Sequence, residues 1–262
     1  MMCKVIAIAN QKGGVAKTAT SANLGIYLAK AGKKVLIIDA DVQGDLTKSL
    51  GCGEPDELAD TISTIMMDVI EDREFDSSKG ILHHEEQVDF LPSNIELAGI
   101  EVSLVNVMSR ETVLKRYIDK MKKQYDFILI DCMPSLGMIT LNVLVSADKV
   151  LIPVQAAYLP MKGLQQLIRT IGKVHRQLNA NLEIMGILLT MVDYRTNYAK
   201  NVSAKLQEAY DDKVKIFENY IPQSVRVAES AAEGISIFKH DPKGKAAKAY
   251  EMVAKEVLSD EK

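Results

Sequence analysis

The sequence predicts an α/β fold in three layers, a mostly parallel twisted sheet with helices on both faces. Three observations predict it. Short β-rich apolar runs alternate with helical stretches through most of the 262 residues, the order that gives a parallel sheet with crossover helices. Several of those runs are apolar on both faces, as strands buried between helix layers must be. A glycine pair, Gly13–Gly14, falls between the first run and the first helix, where a chain turning from strand to helix needs backbone freedom.

The runs that read as strands are Val5–Ala9, Lys34–Asp39, Val88–Leu91, Phe127–Asp131, Val150–Val154, Ile184–Thr190 and Val214–Tyr220. Helical patterning covers 17–31, 57–70, 111–123, 161–178, 198–210 and 243–258. No internal repeat, low-complexity tract or Pro/Gly-rich linker divides the chain, so residues 1–262 are expected to form one domain.

Hydrophobic content of 47% with 26% charged residues is that of an ordinary globular protein. No apolar run approaches the ~20 residues of a membrane span, and the N-terminal segment is too short and too close to the glycines for a signal peptide. A cytoplasmic protein is expected. Cys3, Cys52 and Cys132 are odd in number and widely spaced, which points to neither a disulfide framework nor a zinc site. His83–His84 falls in an acidic stretch and reads as loop, and none of the four histidines suggests metal ligation. Net charge is −3, but unevenly spread: residues 54–102 carry 14 acidic and 2 basic side chains. Residues 158–205 carry the bases Lys162, Arg169, Lys173, Arg176, Arg195, Lys200 and Lys205 against Glu183 and Asp193. An acidic lobe and a basic lobe on one domain are compatible, and the basic one is suited to phosphate.

Polar residues punctuate the carboxyl ends of the strands, where open parallel sheets bind ligands. After the first strand runs Asn10-Gln-Lys-Gly-Gly-Val-Ala-Lys-Thr18. Glycines let backbone N–H groups approach phosphate oxygens, and the following helix points its positive end at the same anion. Lys17 is placed to meet β/γ-phosphates and the Thr18 hydroxyl to ligate Mg²⁺. The strict G-x-x-x-x-G-K-[ST] pattern fails, since its glycines would fall at Gln11 and Ala16, leaving K-G-G-x-x-K-[ST]. Lys12 precedes the glycines and therefore stands apart from the ordinary loop lysine. A second cation there is suited to a phosphate bound by a neighbouring subunit.

Two acidic strand ends follow. Val35-Leu-Ile-Ile-Asp-Ala-Asp41 places Asp39 and Asp41 on the same side of an extended backbone. Asp41 is the catalytic and metal-site candidate, Asp39 the structural one, and Asp45 a turn cap. Tyr125-Asp-Phe-Ile-Leu-Ile-Asp131 has the form of a Walker B strand whose carboxylate reaches Mg²⁺. The loop Cys132–Gly137 after it is suited to sensing a γ-phosphate.

Taken in order and spacing, these segments resemble the ParA/Soj partition ATPases of the deviant-Walker-A, MinD-like P-loop class. The likeness extends through Leu151-Ile-Pro-Val-Gln155, Leu189-Thr-Met-Val-Asp-Tyr-Arg-Thr196 and Ile221-Pro-Gln-Ser-Val-Arg-Val-Ala-Glu229. It implies an ATPase of slow intrinsic turnover that uses ATP/ADP and Mg²⁺ in a P-loop fold. Lys12, Lys17 and Asp41 would be catalytic. Lys12 to Ala19, by way of Gly13, Gly14, Val15, Ala16, Lys17 and Thr18, would hold the nucleotide, with Pro222 and Val225 against the base. Thr18, Asp41 and Asp131 would serve the metal. The resemblance further implies an ATP-bound homodimer in which Lys12 crosses the interface. It implies non-specific DNA binding, with Arg195, Lys200 and Arg226 as contacts, release on hydrolysis stimulated by a ParB-type partner, and association with the nucleoid. Ala16, Ala19, Val42, Met133 and Ala157 depart from common family residues, none of them at a charged catalytic position. No helix-turn-helix precedes the loop, so the short form is expected. A MinD-like membrane ATPase is the alternative, but the last thirteen residues are acidic on balance and do not suit a membrane surface.

Overall fold

The computed structural model describes residues 3–156, 161–193 and 214–260, together with Leu206, Glu208 and Tyr210. Seven strands form one sheet: β1 (Lys4–Ile8), β2 (Val35–Ala40), β3 (Leu82–His83), β4 (Asp89–Leu91), β5 (Phe127–Cys132), β6 (Lys149–Gln155) and β7 (Glu183–Thr190). Their spatial order is β3-β4-β2-β5-β1-β6-β7. Every pairing is parallel except that of β3 with β4 at one edge.

The side-chain alternation of the strands sorts the core into two layers. Val5, Ala7, Leu36, Ile38, Ile128 and Ile130 face one way. The residues between them, Ile6, Ile8, Val35, Ile37 and Leu129, face the other. Against the first face pack helices α3 (Ile62–Ile70), α4 (Leu97–Ser103), α5 (Val113–Met121), α6 (Met138–Ser146) and α7 (Met161–Gln177). Against the second pack α1 (Lys17–Lys30) and α2 (Asp45–Ser49), then α8 (Val225–Ala232), α9 (Ile237–His240) and α10 (Lys245–Ser259). Helix α1 lies close on the sheet because Gly25 faces it; a Cβ there would stand 2.5 Å from Ile37 Cδ1. Helix α10 buries Ala246, Ala247, Tyr250, Val253, Ala254 and Val257, and α1 is the helix it packs on most.

The six parallel strands match the sequence expectation to within one residue at nearly every end, and the mostly parallel sheet with helices on both faces is the fold observed. Three expectations are corrected. The segment Val214–Tyr220 is not a strand: it touches β7 through an isolated bridge, Ile216 to Ile187, and a second bridge joins Pro222 to Val192. The ladder breaks at Glu218 and Asn219, whose N–H groups donate to the Glu256 carboxylate instead, and backbone bonding to the end of β7 resumes when Ile221 N donates to Leu189 O at 2.9 Å. His83 is in a strand rather than a loop, paired with Asp89, and the buried His84 ring contacts Gly234 O at 3.0 Å. The helix expected over 57–70 begins at Ile62, because Thr61 and Thr64 form a capping box; Pro55–Glu57 is a separate 3-10 turn. The helix expected over 198–210 falls almost wholly outside the described residues.

Candidate nucleotide site

The loop that leaves β1 at the middle of the sheet is stitched to its neighbours before it reaches α1. Asn10 Nδ2 donates to Pro153 O at 2.6 Å, and Asn10 Oδ1 accepts from Lys12 N at 3.0 Å. Thr190 Oγ1, at the end of β7, donates to Val15 O at 3.0 Å. Strands β6 and β7 thus brace the loop that β1 supplies. Within it Gly14 has φ +67°, and nothing lies within 4 Å of the Cβ positions of Gly13 or Gly14. Phosphate oxygens therefore have open access to the backbone N–H groups. Ala16 also adopts the left-handed region, at φ 63° and ψ 32°, as the residue before α1, a conformation that costs a residue with a Cβ about 1–2 kcal/mol.

Lys17 is buried, with its Nζ 3.4 Å from Lys12 O. Thr18 Oγ1 donates to Asp131 Oδ2 at 2.8 Å, and Ser21 Oγ lies 3.0 Å from Asp131 Oδ1. Asp131 sits at the end of β5 directly across from Asp39 of β2. Burial, aided by the Asp39 charge, pushes the Asp131 carboxyl up to about 7. Burial likewise raises Asp39 to about 6 against the hydrogen bonds it accepts. Those bonds come from Thr47 N at 2.9 Å, Thr47 Oγ1 at 2.7 Å and Asp41 N at 3.1 Å, so Asp39 fastens β2 to α2. Asp41, one residue past β2, instead faces the cavity and accepts from Gln43 N at 3.1 Å.

The cavity above the loop has a volume of about 770 Å³, within the range of nucleotide-sized pockets. It brings together Gly13, Gly14, Ala16, Lys17, Thr18, Ala19, Asp41, Pro222 and Val225. Val15 is buried beneath it, Asp131 lies under Thr18, and Lys12 is turned aside with its Nζ 3.2 Å from Gln155 Oε1. Arg226 is exposed beside it and paired with Glu229 at 2.9 Å. Arg195 and Lys200 lie outside the described residues. Sequence reasoning missed Asn23, whose Oδ1 accepts from Ile237 N at 2.8 Å and whose side chain lines the cavity. It also missed Met191, Lys48 and the small residues Ala228 and Ala231 of α8, which line the same space, as does Pro134 of the loop expected to sense a γ-phosphate. Only the spacing of Asn23, one turn and more beyond Thr18 on α1, could have signalled it. Cys132 is buried and burial pushes its thiol up, so it packs as an inert apolar group.

Open loop backbone, a buried lysine, and a hydroxyl above a carboxylate suit a magnesium-bound nucleoside triphosphate. Bound Mg²⁺ would supply charge neutralisation to the phosphates, with Thr18 Oγ1 and Asp131 as the groups that fit it. A strand, a glycine turn and a helix that begins at Lys17, beside acidic strand ends at the switch point of a parallel sheet, define a P-loop nucleotide hydrolase of the MinD/ParA-like type. Residues 3–184 match the family model described as AAA domain. The chain is 43% identical over 260 residues to the sporulation initiation inhibitor protein Soj of Bacillus subtilis, covering 99% of this chain and 100% of that protein. It is 38% identical to the chromosome-partitioning ATPase Soj of Treponema pallidum, with 98% of each chain covered. The chain belongs to the Soj/ParA family of partition ATPases. Among solved structures, a Mycobacterium smegmatis protein described as cobyrinic acid a,c-diamide synthase, with ADP and magnesium bound, superposes with TM-score 0.85 at 36% identity. That match covers 98% of this chain and 94% of the other. A second structure of it holds an ATP analogue and magnesium, with TM-score 0.85, 35% identity and the same coverage of both chains. The protein is an ATPase, with ATP or ADP and Mg²⁺ as its ligands.

Proposed function

We propose that residues 1–262 act as one ATPase domain that pairs with a second copy when ATP is bound, and that the pair holds DNA non-specifically until hydrolysis releases it. The observation that carries the DNA reading is a basic stripe on α7. Lys162, Arg169, Lys173 and Arg176 are all exposed, and their spacing of seven, four and three places them on one side of the helix. Leu164, Leu167, Ile171 and Val174 occupy the opposite, buried side. The helix Met161–Gln177 contains no acidic residue, and among the described residues none of the four bases has an ion-pair partner. Such a stripe suits a phosphate backbone and reads no sequence. Arg195 and Lys200 follow it in the chain, and Arg226 becomes available only by leaving Glu229.

At the nucleotide, Lys17 and the loop N–H groups would bind the β/γ-phosphates, and Asp41 would orient the attacking water. Lys12 would swing from Gln155 to the nucleotide of the other subunit, supplying the cation that charge transfer calls for. Pro222 and Val225 would cover the base. A ParB-type protein would stimulate hydrolysis, and DNA binding would concentrate the protein on the nucleoid. The end-to-end likeness to Soj at 43% identity weighs toward partition. The membrane alternative is disfavoured because the apolar face of α10 is already buried in the fold.

The test is DNA binding to random-sequence duplex with ATP, ADP and no nucleotide, across a salt series. Binding should require ATP and weaken as salt rises. Arg169→Glu with Lys173→Glu removes two bases from each subunit and should flatten the salt dependence of the dimer by about four units of slope while ATP hydrolysis without DNA stays intact. Binding indifferent to nucleotide, or undiminished in that variant, would refute the reading.

A further inference from the structure

The loop between Asp131 and α6 is anchored from outside the nucleotide site. It leaves β5 after Cys132, passes Pro134, which lines the cavity, and enters α6 at Gly137–Met138. Helix α6 has no cap of its own, because its N-cap residue is Gly137. Glu101, in α4, takes that role: Met138 N–H donates to Glu101 Oε1 at 2.8 Å. The carboxylate meets the positive end of a nine-residue helix, where a negative charge is stabilising. The fit is close. A Cβ at Gly137 would overlap the Glu101 carboxylate, so a side chain at 137 would make that carboxylate shift from its present seat. Gly137 N–H also donates to Ser135 Oγ at 3.3 Å, which tightens the same turn.

We propose that Glu101 is a positioning residue for ATP hydrolysis, holding the 132–137 loop so that Pro134 closes the nucleotide cavity and the chain beyond Asp131 keeps one course. It does not line the cavity and acts only through the loop. A cap lost at one end of a short loop is felt at the other, since displacements of about 1 Å at a reacting centre cost up to about a hundredfold in rate. The inference rests on ATP occupying this cavity and is independent of the DNA reading.

Steady-state ATP hydrolysis with Mg²⁺ tests it on the full chain. Glu101→Ala should lower kcat by about tenfold while KM stays within about twofold, the signature of a lost transition-state arrangement. Glu101→Gln, whose amide oxygen still accepts the Met138 N–H, should recover most of the rate. Gly137→Ala, which displaces the carboxylate with Glu101 intact, should reproduce the kcat loss and serves as the readout if Glu101→Ala does not fold. Unchanged kcat in Glu101→Ala or Gly137→Ala would overturn the proposal. So would kcat, KM and Tm changing together with no rescue by Gln, which would make Glu101 an ordinary stabilising cap. Lys17→Ala in the same assay separates the two levels: normal ATP binding and turnover there would mean that the cavity is not the nucleotide site.

Discussion

Replacing Asp131 with Asn tests how the site stores the buried carboxylate proposed to serve the metal. In the nucleotide-free protein Asp131 is buried between the hydroxyls of Thr18 and Ser21 and across the sheet from Asp39. Burial first, and then the Asp39 charge, raise its carboxyl from 3.8 to about 7. A folded-state value above the unfolded one means that ionisation opposes folding. The cost is absent below pH 3.8, accumulates through the interval up to about 7, and is fully present above it. At about 1.36 kcal/mol per pH unit, it reaches roughly 4 kcal/mol at pH 8. Asparagine removes the charge, and its hydroxyl neighbours can rotate to accept from the amide as readily as they donated to the acid. Asp131→Asn should therefore raise the Tm of the nucleotide-free protein at pH 8 by roughly 8–16 °C, and by progressively less toward pH 4. Thermal melts followed by circular dichroism, without Mg²⁺, at pH 4 to 8 measure this. If Asp131 serves Mg²⁺ as proposed, the same variant should lose the stabilisation that Mg²⁺ with ATP gives the unmodified protein, because it lacks the charge the metal would use. An Asn variant less stable than the unmodified protein at every pH would refute the reasoning, since it would make Asp131 a structural carboxylate.

Asp39 is raised in the same direction, to about 6, and its hydrogen bonds are tested through Thr47. Thr47→Val removes one donor to its carboxylate and the oxygen that accepts from Ser93 N at 3.0 Å, which should cost about 1–3 kcal/mol in urea unfolding. No loss would mean that the β2–α2 junction does not depend on it. Ala16→Gly should relieve the left-handed strain at φ 63° and raise stability by about 0.5–1 kcal/mol, read as a higher denaturation midpoint; a lower one would show that the methyl group packs usefully.

The central sheet was legible because its strands are apolar on both faces, as the paired core layers of Val5 and Ala7 against Ile6 and Ile8 require. Helix α6 was not, since a helix buried nearly all round has no polar face to give a period of 3.6; Ile139, Thr140, Asn142, Val143, Leu144, Val145 and Ser146 are all buried. The paired residues of β3 number two, too few for alternation to register. The loop residues Gly13 to Thr18 were legible as a local motif. Asn23, Pro134 and Met191 reach the cavity from three separate elements, and only the fold joins them. Met191 does so at φ 52°, a strained turn that its residue type gives no hint of. The exposed basic face of α7 needed the structure too, because charge counts alone do not say whether bases converge.

The claim on which the rest depends is that ATP joins two copies through Lys12. Light scattering of the eluting protein with ATP, ADP and no nucleotide, using Asp41→Ala to slow hydrolysis, tests it directly. A dimer is expected with ATP alone, and Lys12→Ala should bind ATP while remaining monomeric or failing to hydrolyse it. A monomer in every nucleotide state, or a Lys12→Ala variant that dimerises and hydrolyses ATP normally, would contradict the account.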